Sequence, residues 1–253
     1  LCLAFAAAMA LPWSAFGQTA ERPHVLLLVA DDLNDFTGFS GGHPQAETPH
    51  LDRLARQGTV FSNAYCNAPV CNASRTSFLT GKHPLYTGTL NNGLNSPLDR
   101  TFRNRFQAAT GNATVFTLPE VFREAGYFTY GINKIYHGWS DNGHDNDFDD
   151  ATADPCARDL SWSGFFDLHP SNDPVPPGPD YGEAVPGFPG GRLDDAREAD
   201  MIDTRVADSA IAFLQRYAAD PSDYCDRPFF LALGFRRPHS PHFAPARYFR
   251  DEF

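Results

Sequence analysis

Val25-Leu26-Leu27-Leu28-Val29-Ala30-Asp31-Asp32 is an unbroken apolar run that ends on two carboxylates. A run this short and this continuous predicts a strand of a parallel sheet buried on both faces. An acidic pair at the carboxyl end of such a strand stands where open α/β sheets bind their ligands. Hard oxygen donors such as Asp31 and Asp32 suit calcium or magnesium better than a soft metal. Taken alone, the pair also fits a solvated turn or a helix cap.

The segments on either side alternate between helix and strand. Thr48 caps a helix with Pro49 in its first turn, Leu51, Leu54 and Ala55 share one face, and Gly58 ends it. Val60 to Tyr65 reads as a second strand. Thr117-Leu118-Pro119-Glu120 has capping-box spacing and opens a helix through Phe122 to Ala125, before a third strand over Tyr127 to Ile132. Helical periodicity recurs from Ala199 to Tyr217, and Phe229 to Phe235 is another buried strand. This order predicts an α/β fold, a sheet covered by helices. Asp141 to Asp150, rich in aspartate, and Pro170 to Gly191, rich in proline and glycine, read as loops. The acidic loop lacks the glycine and distal glutamate of an EF-hand.

With 253 residues, 42% of them hydrophobic and 20% charged, the chain can bury a sizeable core and is neither fibrous nor disordered. The net charge of -11, with lysines and arginines scattered, argues against a nucleic-acid partner. An anionic substrate therefore needs a local positive site. No internal repeat is visible, and after the first residues no segment is long and apolar enough to span a membrane.

Downstream of the acidic pair lies Cys71-Asn72-Ala73-Ser74-Arg75-Thr76-Ser77-Phe78-Leu79-Thr80-Gly81. This run resembles the signature of the sulfatase family, in which the cysteine is oxidised after translation to formylglycine. Thr48-Pro49-His50-Leu51-Asp52-Arg53-Leu54-Ala55 and Phe61-Ser62-Asn63-Ala64-Tyr65 are similar to the family's first helix and the strand after it. The resemblance implies an alkaline-phosphatase-like sandwich, with a largely parallel or mixed central sheet flanked by helices. It also implies hydrolysis of sulfate monoesters by a formylglycine nucleophile and a divalent metal, calcium before magnesium, held by Asp31, Asp32 and residue 71. Ala73 stands where the family more often has proline, so which maturation enzyme generates the formylglycine stays open. Asn72-Ala73-Ser74 and Asn112-Ala113-Thr114 also read as glycosylation sequons, the first better explained by the sulfatase motif.

In the family the hydrated aldehyde attacks sulfur with one hydroxyl, and a base takes the proton of the other to expel sulfate. Arg75, one turn beyond Cys71 if the run is helical, would hold the diol and the metal-bound oxygens. Gly131-Ile132-Asn133-Lys134-Ile135-Tyr136-His137 resembles the segment that supplies a sulfate-binding lysine, here Lys134, and a catalytic base, here His137. Phe235-Arg236-Arg237-Pro238-His239-Ser240-Pro241 resembles the segment whose histidine, here His239, binds sulfate and protonates the leaving alcohol. Read alone, Lys134 is a surface lysine and His137 a turn residue. His242 is a weaker candidate, and Arg236 and Arg237 either recruit an acidic substrate or are solvated. These segments look most like the iduronate-2-sulfatase branch, which implies a sulfated carbohydrate substrate. A phosphate or phosphonate monoester hydrolase of the same superfamily and a non-catalytic glycan-binding relative are the alternatives.

Leu1 to Phe16 is apolar and alanine-rich, and Ala15-Phe16-Gly17 precedes a polar stretch from Gln18. Residues 1–17 read as a signal peptide with a truncated start, which predicts a periplasmic or extracellular protein. Residues 18–253 read as the N-terminal part of a sulfatase catalytic domain with loop insertions near 141–191. The later acidic ligand, lysine and C-terminal subdomain of the family fall beyond Phe253, so this part alone is expected to show little or no activity. With Cys2 in the leader and Cys71 consumed by maturation, Cys66, Cys156 and Cys225 permit one disulfide, with Cys156 to Cys225 preferred and the connectivity open.

Overall fold

The structure, a computed structural model, describes residues 22–92, 117–137, 156, 162–166 and 190–249. The leader, the aspartate-rich loop over 141–150 and the Asn112 sequon lie outside these residues.

Four strands form one parallel sheet in the order β1-β5-β2-β3, with β1 at Val25–Ala30, β2 at Phe128–Asn133, β3 at Gly164–Phe166 and β5 at Phe229–Phe235. A second, two-stranded parallel pair joins β4 (Gly190–Leu193) to β6 (His242–Pro245). Five α-helices accompany them among the described residues: α1 (Pro49–Gln57), α2 (Cys71–Thr80), α3 (Pro84–Thr87), α4 (Leu118–Glu124) and α5 (Ile202–Ala219).

β5 lies between β1 and β2, and its side chains alternate between two cores as the strand period of two requires. Phe229, Leu231 and Leu233 pack with Phe128, Ile132 and the stripe Ile202, Val206, Ala210 and Phe213 of α5. Phe230 and Ala232 face the opposite way, into Leu79 of α2, Tyr127, Ile135, Tyr136 and Trp162. Phe122 of α4 stacks on Phe230, the ring centroids 4.3 Å apart. Helices thus cover both faces, which is what the unbroken apolar run of β5 demands.

β1 departs from the expected burial on both faces. It is an edge strand among the described residues, and Leu26 and Leu28 are about half exposed on one face while Val25, Leu27 and Val29 are half-buried. The expected strand over Val60 to Tyr65 is absent from the structure. Those residues are irregular, with Phe61 and Tyr65 largely exposed, because no described strand offers them a ladder.

Thr48 does stand at the N-cap of α1, but its side chain does not cap the helix. Its hydroxyl donates to Asp52 (2.9 Å) and accepts from the Gly38 amide (2.8 Å), tying α1 to the turn before it. Leu51 and Leu54 of the predicted buried face are exposed. Of the capping box, the Glu120 half is made, its carboxylate accepting from the Thr117 amide.

The predicted helix from Ala199 begins as a 3-10 turn over Asp195–Asp200 and becomes α-helical at Ile202. The 141–191 insertion contains β3, and the expected loop over 170–191 gives way to β4 at Gly190. Cys156 and Cys225 are joined by a disulfide, with Cα atoms 5.9 Å apart, which fastens that insertion to the turn after α5.

Candidate active site

The carboxyl ends of β1, β5 and β2 lie side by side, and each releases a candidate residue. Asp32 and Asn133, both with φ of 59°, adopt the left-handed conformation that turns the chain out of the sheet. The Asp31 amide donates to the Phe235 carbonyl (3.1 Å), and the His239 amide donates to the Asp31 carbonyl (3.1 Å). Asn133 donates through Nδ2 to the Gly234 carbonyl (3.0 Å). A Cβ on Gly234 would lie 2.0 Å from the carbonyl oxygen of Lys134, so the absent side chain is what lets the Lys134 backbone pass over β5.

α2 brings the remaining groups. Cys71 is its first residue, and Arg75 follows one turn later on the same side. The buried Arg75 guanidinium donates to Asp31 Oδ1 (2.8 Å) and to the carbonyls of Lys134 and Ile135 (3.2 Å to the latter). Lys134 Nζ donates to the other oxygen of Asp31. Two cations therefore converge on the one Asp31 carboxylate.

The electrostatics assign protonation states. Burial alone would raise the Asp31 carboxyl, but Arg75 and Lys134 outweigh it and hold Asp31 below the usual range. Burial, reinforced by Asp31, pushes the Cys71 thiol up, so at neutral pH it is a thiol and a poor nucleophile. His137 is pushed down to about 4, first by burial and then by Lys134 and Arg75. It is neutral at pH 7, and its Nδ1 is buried without a hydrogen-bond partner.

Asp31, Cys71 and His239 present ligand atoms that all lie within 4.8 Å of one another. Asp32, exposed at the rim, places its carboxylate 4.0 Å from His239 Nε2. Nδ1 of His239 lies 2.6 Å from the Ser240 carbonyl, which makes Nδ1 the protonated nitrogen and turns Nε2 toward the carboxylates. A hollow of about 190 Å³ opens over Asp31, Asp32, Cys71, Ser74 and Arg75, with Cys66 at its edge. Carboxylate oxygens converging beside residue 71 fit a hard divalent cation. A larger cleft, lined by Pro44 to Leu51 and Arg247 to Phe249, includes none of these residues.

The remaining candidates fall outside this cluster. His242 is exposed on β6, paired through its backbone register with Gly190. Arg236 and Arg237 are half-buried and engaged, Arg237 lying 4.2 Å over the Phe243 ring and donating to the His239 carbonyl (3.1 Å). Neither is a free recruiter of substrate. Asn72 is buried, which removes it as a glycan acceptor in the folded chain. Sequence reading missed Asn133, Gly234 and Asp203. Asp203 accepts hydrogen bonds from the Arg236 and Arg237 amides, and no motif marks it out from its neighbouring acids.

A parallel sheet covered by helices on both faces, with the candidate residues gathered at the carboxyl ends of its strands, is an α/β architecture. The structure of a phosphonate monoester hydrolase from Agrobacterium radiobacter shares it with a TM-score of 0.58 at 20% identity, over 90% of this chain and 44% of that one. The sulfatase family model matches residues 23–252, and the chain belongs to the sulfatase family. It is 31% identical over 238 residues to a sulfatase of Formosa agariphila, covering 90% of this chain and 41% of the relative. It is also 31% identical over 237 residues to human iduronate 2-sulfatase, covering 91% and 38%. The chain thus spans about two fifths of the length of these relatives.

Proposed function

We propose that this chain carries the nucleophile, anion-binding and proton-transfer groups of a sulfatase that hydrolyses sulfate monoesters on a sulfated carbohydrate, in the manner of iduronate-2-sulfatase. The observation that carries the reading is the convergence of residue 71, Asp31 and His239 within 4.8 Å, with Arg75 and Lys134 both bound to Asp31. Cys71, oxidised by a maturation enzyme to formylglycine, would present a hydrated aldehyde whose hydroxyl attacks sulfur. The high pKa of the unmodified thiol supports an oxidised residue 71 as the working group.

A divalent cation, calcium or magnesium, held by Asp31, Asp32 and residue 71, would supply positive charge to the sulfate oxygens. Lys134 and Arg75 hold the anion from the side of α2 and β2. His137, neutral at pH 7, takes the proton whose removal expels sulfate. We assign His239 to the substrate side of the cluster, where the imidazolium form, with Nδ1 donating to the Ser240 carbonyl, would give its Nε2 proton to the leaving alcohol and return to the neutral ring. The Cys156–Cys225 disulfide and the apolar leader support a periplasmic or extracellular location. No helix among the described residues is long and apolar enough to cross a membrane.

The test is a parallel assay of the matured protein with an aryl sulfate and an aryl phosphonate, with and without chelator. Turnover of the sulfate, lost on chelation and restored by calcium or magnesium, is the expected result. Faster turnover of the phosphonate would assign the protein to phosphonate ester hydrolysis. Turnover of neither, with sulfated glycan still bound, would leave a binding protein.

A further inference from the structure

His239 sits on a turn whose hold on the fold is indirect. Its amide donates to the carbonyls of Asp31 (3.1 Å) and Arg236 (3.0 Å), so the position of the imidazole depends on where the Arg236 backbone is fixed. β5 ends at Phe235, and from there the amides of Arg236 and Arg237 leave the strand ladder. Both point at α5. Asp203, the second residue of that helix, accepts the Arg236 amide on Oδ1 and the Arg237 amide on Oδ2, each at 2.7 Å. These are short bonds to an acidic side chain. The first turn of a helix is also where a negative side chain is stabilised by the backbone dipole. α5 itself is anchored by Ile202, Val206, Ala210 and Phe213 in the core, so Asp203 transmits a rigid reference to the turn.

We propose that Asp203 is a positioning residue that fixes His239 for proton delivery to the leaving alcohol. This rests on the sulfatase reading given above. Asp203 does not touch substrate. It clamps the backbone immediately before the proton donor, so its loss lets the imidazole drift while leaving the nucleophile, Arg75 and Lys134 in place. Drift of about 1 Å in a reacting group is enough to cost on the order of a hundredfold in rate. The cost falls on the step that needs the proton. Para-nitrophenolate leaves readily without protonation, whereas phenolate from phenyl sulfate requires more help.

The experiment uses the intact, matured protein with Asp203→Asn, Asp203→Ala, His239→Ala and the Asp203→Ala/His239→Ala pair. The readouts are kcat on para-nitrophenyl sulfate and phenyl sulfate, together with amide hydrogen exchange over residues 234–241. We expect Asp203→Ala to lower kcat on phenyl sulfate by roughly 30- to 100-fold and on para-nitrophenyl sulfate by less than about threefold. Asp203→Asn, which keeps one acceptor oxygen, should fall between. The paired variant should be no worse than His239→Ala alone, because both remove the same function. Exchange at Arg236 and Arg237 should accelerate in Asp203→Ala while β2 and β5 keep their protection. Equal losses on the two esters, additive losses in the pair, or unchanged exchange at Arg236 and Arg237 would overturn the proposal. If the intact, matured wild-type protein turns over neither sulfate, the sulfatase reading fails, and the exchange data alone decide whether Asp203 clamps the turn.

Discussion

Arg75 is the residue on which the site's geometry turns. It joins the carboxylate at the end of β1 to the carbonyls that follow β2, all from the first turns of α2. Arg75→Ala would leave Asp31 buried beside Lys134 alone and would strip two carbonyls of a donor. A loss of about 3 kcal/mol in stability is expected, read by urea denaturation. Arg75→Lys would recover only part of it, because a lysine ammonium cannot span the fork of contacts that the planar guanidinium makes. A loss below about 0.5 kcal/mol would show that the pairing is incidental.

His137 gives the site a signature in pH. Its folded pKa of about 4 lies below the ordinary 6.5, so between these values the unfolded chain binds a proton that the folded chain does not. Stability therefore rises with pH across that window and falls as pH drops from 6.5 toward 4. Asp31, held below its ordinary value of 3.8, adds its own loss only at still lower pH. From pH 7 to pH 4 the denaturation midpoint of the wild type should fall more steeply than that of His137→Gln, because only the wild type carries the group that takes up a proton on unfolding. Parallel curves would exclude a depressed His137.

At the scale of elements, α5 against β5 is the contact that fixes the frame. Phe213 is fully buried among Phe128, Tyr224 and Phe229, and Phe213→Ala should cost about 3–5 kcal/mol. Ile211 on the outer side of the same helix is half exposed, and Ile211→Ala should stay within about 0.5 kcal/mol. Thermal melts of the two variants check the assignment of faces.

These elements also show what could be read from sequence. β1 and β5 were legible to the residue because a continuous apolar run has few other uses, and the Cys71 to Arg75 run was legible through its resemblance to the sulfatase signature, the helix that puts Arg75 one turn on being a condition that α2 meets. Val60 to Tyr65 misled because Val60, Phe61 and Tyr65 are residue types that favour strands while strand formation also needs a partner. Thr48 misled in a smaller way, its hydroxyl being taken by Gly38 and Asp52. Asn133, Gly234 and Asp203 act through backbone contacts between distant segments, which local pattern does not encode.

At the scale of the whole molecule, the disulfide and the exposed apolar side chains mark how the fold is held together. Cys156 and Cys225 close a loop of 69 residues that includes β3 and β4. Cys225→Ser should lower stability by about 2–4 kcal/mol and should loosen the insertion before it affects the β1-β5-β2 frame. Hydrogen exchange that rises first in β3 and β4 would agree with this order, and uniform loss across the sheet would contradict it. Leu26, Leu28, Leu51, Leu54 and Phe61 remain exposed among the described residues.

The central claim is that residue 71 works as an aldehyde inside the Asp31, Arg75 and Lys134 cluster. Peptide mass spectrometry across residue 71, on protein from a host that carries the maturation enzyme, tests it directly. Conversion of the Cys71 thiol to an aldehyde lowers the peptide mass by roughly 18 units, and that loss is the predicted result. An intact thiol in fully processed, active protein would contradict it.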